Sequence, residues 1–170
     1  SSAIADIDKD GDIDFITANF YGEIRYFSGN GDGTFEELTG ASNPFGTITG
    51  GNFTRIDLVD YDNDGDVDLF MGEQAGTFRY FRNDAGVFNA QTGAANPLNG
   101  VDAGAFSTPQ LIDFDLDGDL DLVSGDYGGV KLFLNTAGVF SEQIGTNNPF
   151  NNVDDPAFIA YAPKLLDIDG

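Results

Sequence analysis

The chain has no cysteine and no histidine, and only 7 lysines and arginines stand against 29 aspartates and glutamates. Each shortage removes a class of function. Without cysteine there are no disulfides, no cysteine-rich calcium repeat and no thiol nucleophile. Without histidine the commonest general base is missing, and zinc loses both its nitrogen and its sulfur ligands. A formal charge of −22 works against binding to nucleic acid and to anionic membrane surfaces. No apolar run approaches the length of a membrane span. No signal peptide is visible, and the chain opens on Ser1 and not on Met. The expectation is therefore a processed form or a piece of something longer. What remains is 170 residues with 41% apolar content, enough for a sizeable core.

The abundant residue is aspartate, and it is patterned. Asp60-Tyr61-Asp62-Asn63-Asp64-Gly65-Asp66-Val67-Asp68 places carboxylates at the odd positions of a nine-residue stretch, with glycine sixth. The stretch returns from Asp6 to Asp14 and from Asp113 to Asp121, and a fourth copy begins at Asp167 and Asp169. These loops start at residues 6, 60, 113 and 167. Five like charges held this close repel one another, and a hard divalent cation removes the penalty. Calcium accepts six to eight oxygen ligands in a flexible shell, whereas magnesium demands a strict octahedron and keeps its water. Gly11, Gly65 and Gly118 supply the sharp turn. An EF-hand would need a bidentate glutamate at position 12, where Thr17, Met71 and Ser124 stand. Its flanking helices are also replaced by short apolar, β-prone segments.

These loops resemble the calcium loops of FG-GAP/VCBS repeats, the blades of integrin-α-type β-propellers, and the likeness extends over essentially the whole chain. The resemblance implies side-chain ligands at loop positions 1, 3, 5 and 9. These are Asp6, Asp8, Asp10 and Asp14; Asp60, Asp62, Asp64 and Asp68; and Asp113, Asp115, Asp117 and Asp121. It also implies a backbone carbonyl ligand from each of Asp12, Asp66 and Asp119, and so about three calcium sites. The fourth loop is too short here to be expected to hold an ion.

Each period divides alike. In the second, Arg55 to Asp60 leads into the loop and Val67 to Gly72 leads out. Thr77 to Arg82 and Val87 to Gln91 follow after turns, and Thr92 to Pro109 crosses to the next unit. Four short antiparallel strands in a meander make a propeller blade. The expected fold is all-β: a single repeat domain over 1–170, with blades near 1–39, 54–92 and 108–144 and the first strand of a fourth within 162–170. Phe35, Phe88 and Phe140 anchor the fourth strands, and Asn43-Pro44-Phe45, Asn96-Pro97-Leu98 and Asn148-Pro149-Phe150 mark structural turns in the connections. Arg25, Arg79 and Lys131 share one register of the third strand, and charge pairing with acids of a neighbouring blade, such as Glu73 or Asp126, is expected.

Nothing in the chain is arranged for catalysis, because calcium already accounts for every obvious carboxylate cluster. The expected function is a non-enzymatic, calcium-binding adhesion, recognition or structural module. It would sit outside the cell or at the cell surface, where calcium is abundant enough to fill low-affinity sites. The expected partners are further blades or another copy of the chain to close the propeller, and a cell-surface protein or a glycan. The alternatives are a calcium-stabilised lectin, with Phe20, Tyr21, Phe106, Tyr127 and Tyr161 as stacking residues, or a non-catalytic domain of a larger secreted enzyme. Asn52-Phe53-Thr54 is the only glycosylation sequon.

Overall fold

The computed structural model describes residues 1–153 and 162–165. Twelve strands form three four-stranded antiparallel sheets, each in chain order. The first holds β1 (Ser2–Ala5), β2 (Asp14–Ala18), β3 (Ile24–Gly29) and β4 (Phe35–Leu38). The second holds β5 (Arg55–Val59), β6 (Asp68–Gly72), β7 (Phe78–Asp84) and β8 (Val87–Gln91). The third holds β9 (Thr108–Ile112), β10 (Asp121–Gly125), β11 (Val130–Thr136) and β12 (Val139–Gln143). Among the described residues, helix is confined to three single 3-10 turns in the connections, Gly40–Ser42, Gly93–Ala95 and Gly145–Asn147. The sheets are blade-like meanders, and the strand limits read from the second period are met within two residues. The expected fourth unit falls mostly outside the described residues, as do Asp167, Asp169 and Tyr161. Residues 162–165 form no strand, and Leu165 pairs through its backbone with the Gln110 side chain at 2.8 and 3.1 Å.

The blades stack face to face around their first strands, with β1 beside β5 and β5 beside β9. Because successive strand side chains point to opposite faces, a strand between two blades must be apolar on both. All five residues of β6 are buried. Leu69 and Met71 join a cluster with Ile16, Ile24, Tyr26 and Phe45 of the first repeat. Phe70, together with Phe78 and Tyr80 of β7, joins a second cluster with Leu111, Leu122 and Phe133 of the third. Burying each such side chain is worth about 1.5–3 kcal/mol.

The Asn-Pro-Phe turns carry their own supports. Asn43 accepts from the Phe45 N–H at 2.9 Å and donates to the Ile24 carbonyl at 3.2 Å, which drives Phe45 into the first cluster. Asn96 and Asn148 repeat both bonds. At the turn between β2 and β3, the Gly50 N–H donates to the Gly22 carbonyl across the blade boundary at 2.8 Å. Gly22 has a φ of 79°, and an added Cβ would run into the Gly50 backbone.

The basic row is paired differently from the sequence expectation. Arg25 makes a bidentate bond to Glu37 at 2.6 and 2.7 Å, and Lys131 meets Glu142 at 3.7 Å. Both acids lie on the fourth strand of the same blade, one strand away, so they are nearer than any acid across the blade gap. Arg79 donates instead to the Thr49 carbonyl of the preceding connection at 2.6 Å. Phe88 is packed against Phe45 at a centroid distance of 4.5 Å, but Phe35 is half exposed, because no described segment precedes its blade.

Candidate metal centres

Each aspartate loop joins the first and second strands of a blade and folds on its own carboxylates. The first aspartate accepts from the glycine N–H five residues on: Gly11 to Asp6 at 3.1 Å, Gly65 to Asp60 at 3.0 Å, Gly118 to Asp113 at 3.2 Å. Position 3 accepts from the N–H of position 5 in all three loops, and position 5 from that of position 7, at 2.8–3.3 Å. The glycines carry φ values of 94°, 91° and 99°, as the sharp turn requires. A second left-handed residue stands at position 4, which sequence reasoning missed: Lys9 at 61°, Asn63 at 59° and Leu116 at 63°. Only Asn63 is of a type that favours this conformation, so residue identity gave no signal.

The turns bring carboxylate oxygens of Asp6, Asp8 and Asp10 within 4.8 Å of one another, and likewise those of Asp60, Asp62 and Asp64 and of Asp113, Asp115 and Asp121. Oxygen is the only donor offered. Asp6 Oδ1 and Asp60 Oδ1 are buried and have no hydrogen-bond partner. An unpaired buried carboxylate oxygen is costly unless a cation completes it. Partial desolvation, and after it the neighbouring carboxylates, raise the pKa of Asp8 and Asp115. The residues present therefore fit a hard divalent cation with oxygen ligands.

The ninth position has a further task. Asp14, Asp68 and Asp121 are fully buried. Each accepts from the backbone N–H of loop position 2 and from a backbone N–H of the third strand. For Asp14 these are Ile7 at 2.8 Å and Gly29 at 2.9 Å. For Asp68 they are Tyr61 at 3.3 Å and Asn83 at 2.7 Å. For Asp121 they are Phe114 at 2.8 Å and Asn135 at 2.7 Å. Tyr80 adds a hydroxyl donor to Asp68 at 2.8 Å. Burial raises the Asp68 pKa, and these donors oppose the rise. The position-9 carboxylates staple loop to sheet, and only Asp121 also falls within a carboxylate cluster.

Position 7 is likewise occupied away from the cluster. Asp66 accepts from Ala85 N–H at 3.0 Å and Asp119 from Ala137 N–H at 2.9 Å, at the turns between third and fourth strands. Asp12 lies against Gly31 in the corresponding turn. Asn83 and Asn135 complete these turns. Each donates to a loop carbonyl, Val67 at 3.1 Å or Leu120 at 3.0 Å, and accepts from Gly86 or Gly138. Their signal was the repeated Asn-x-Ala-Gly of residues 83–86 and 135–138.

Residues 6–71, from the first aspartate of the first loop to Met71 in β6, match the model of the FG-GAP-like repeat. The chain carries an FG-GAP-like repeat. The match takes in two complete loops and the connection between them, and the loop at 113–121 repeats their internal hydrogen bonds. No curated protein gives a significant match.

Proposed function

We propose that this FG-GAP-like repeat chain is a calcium-stabilised, non-enzymatic recognition module that works outside the cell or at its surface. The observation that carries the calcium reading is the pair of buried, partnerless carboxylate oxygens, Asp6 Oδ1 and Asp60 Oδ1, each at the head of a three-carboxylate cluster. An ion that binds only the folded chain stabilises it by mass action, by about 2.7 kcal/mol per site at a hundredfold excess over the dissociation constant. The loops at the ends of β1, β5 and β9 would then be fixed, leaving the opposite rim for a partner. The test is thermal unfolding with calcium and with a chelator. A midpoint rise on adding calcium is expected, and an unchanged midpoint overturns the calcium reading.

The partner nearest to hand is another blade. Ile4 and Ile13 are 68% and 55% exposed, while Leu58 and Val67 at the same places in the next repeat pack into the first cluster. The face of the first blade therefore suits a further blade, from the same polypeptide or from another copy.

One observation favours a glycan as the ligand. Phe20, Phe53, Phe106 and Tyr127 form a continuous edge-to-face ladder across all three blades, with centroids 4.4–4.7 Å apart. It lies on the rim opposite the aspartate loops, and Phe20, Tyr21 and Tyr127 are exposed. Phe53 and Phe106 are held at φ of 63° and 67°, a strained conformation for a bulky residue. Exposed aromatic rings can stack on neutral sugar faces, and the surrounding negative charge would disfavour anionic ones. A glycan array with the chain and with a Tyr21→Ala, Tyr127→Ala double variant tests this: binding lost in the variant supports it, and no binding by the parent removes it.

A further inference from the structure

The chain contains seven basic side chains, and their placement divides the three loops. Arg25 and Lys131 are paired within their own blades, and Arg79 is bonded to a connection carbonyl. Arg55 lies near the N-terminal amine, and Lys164 meets Asp57 at 3.4 Å. The two that remain, Lys9 and Arg82, both bear on the second loop. Lys9 belongs to the first loop, but its left-handed backbone sends the side chain to the next blade. There Nζ stands 2.6 Å from Asp66 Oδ1 and within the field of Asp64 and Asp60. Arg82 pairs with Asp84 and lies within the field of Asp62. Lys9 is the more telling, because its place in the repeat is otherwise uncharged: Asn63 and Leu116 stand at the same position in the second and third loops. No basic side chain from the second loop reaches the third.

We propose that Lys9 is an internal competitor for the second loop, so that the three loops fill unequally and the second fills last. This rests on the calcium reading above. An ammonium group held on the flank of a site, paired with the Asp66 carboxylate beside the cluster of Asp60, Asp62 and Asp64, offsets part of the field that attracts an incoming dication. The Lys9 side chain is half exposed, so the effect is modest and salt-sensitive, about a three- to tenfold loss of affinity at low salt.

The aromatic residues around the loops provide a site-resolved test. Tyr80 donates to Asp68 at 2.8 Å and Tyr61 is itself a residue of the second loop, whereas Tyr26 approaches Asp8 of the first loop at 3.4 Å. The third loop has Phe114 and Leu132 at those places. Tyr61 also lies beside Gly118, Asp119 and Leu120 of the third loop, so terbium, a calcium substitute whose emission is sensitised by nearby tyrosine, reports on the second loop through Tyr80 when Tyr26→Phe and Tyr61→Phe silence the first and the third; Tyr21 and Tyr127 stand on the opposite rim. In that background Lys9→Asn, which copies the residue at this position in the second loop, is expected to lower the terbium midpoint about three- to tenfold at low salt. Lys9→Arg, which keeps the charge, is expected to leave it in place, and the gain from Lys9→Asn is expected to shrink in about 1 M salt. An unchanged midpoint with full emission overturns the role of Lys9 and leaves the calcium reading standing. A raised midpoint shows instead that Lys9 props the loop open for the ion, and overturns the proposal. A chain that gives no terbium emission overturns the calcium reading and this inference together.

Discussion

Asp57 in β5 accepts a hydrogen bond from the backbone N–H of Leu111 in β9 at 2.9 Å, so the seam between the second and third blades closes on a buried carboxylate. Desolvation raises the pKa of this group, and the Leu111 N–H and Lys164 only partly offset it. A carboxyl whose folded pKa is raised favours the folded state at acid pH, and the benefit is lost as pH rises through the folded value. Asp57→Asn keeps an acceptor for Leu111 without the charge. It is expected to raise the unfolding midpoint at pH 7, with the advantage fading toward pH 4. A melting series across that range checks it, and a gain that persists undiminished at pH 4 contradicts it.

Leu116 is 85% exposed and sits at a φ of 63°. A left-handed backbone costs an ordinary L-residue about 1–2 kcal/mol, and asparagine less. Leu116→Asn, the residue found at this position in the second loop, is expected to stabilise the chain by about 0.5–1 kcal/mol. Chemical denaturation with and without calcium measures it.

Asp68 binds two backbone N–H groups and the Tyr80 hydroxyl in a buried setting. Asp68→Ala leaves those donors unsatisfied and is expected to cost about 3–5 kcal/mol. The distinguishing point is the chelator: the loss should persist when no calcium is bound, because the carboxylate joins loop to sheet by itself. A cost seen only in calcium would make Asp68 a ligand and nothing more.

Phe45 is fully buried between Tyr26 and Phe88, with centroids at 5.9 and 4.5 Å. Phe45→Ala is expected to cost about 3–5 kcal/mol through the cavity it opens. Phe35→Ala, at a half-exposed ring, is expected to cost less than about 1 kcal/mol. Equal losses at the two positions would mean that the first blade is covered in solution.

The repeat, the strands and the loops were legible because each depends on residue type at fixed spacing. Asp60 to Asp68 announces a turn filled with oxygen, and the four short segments of each period, parted by turns, announce a meander. The ion pairs were less legible. Arg25 shares its register with Arg79, yet one meets Glu37 of its own blade and the other a carbonyl of the preceding connection, a difference set by what lies across the gap. The strained positions were not legible at all, because Lys9 and Leu116 take their conformation from the loop around them and not from their own preference. The second task of Asp14, Asp68 and Asp121 was hidden for a related reason: the groups they bind are backbone N–H donors of the third strand, which exist at every residue and leave no mark in the sequence.

Within a blade, long ladders of backbone bonds tie strand to strand. Between blades, the seam is made of side chains, the connections and a few isolated bonds such as Gly50 to Gly22 and Leu111 to Asp57. Such a stack has weak joints and strong plates. Pulled from its ends, it would part at the seams before any sheet unravelled. Each plate would then give way as a unit, paying out on the order of 180 Å of chain for a repeat of about 54 residues. Under load, this grading sets the order of failure, with force shed stepwise and the aspartate loops staying inside the last plates to yield.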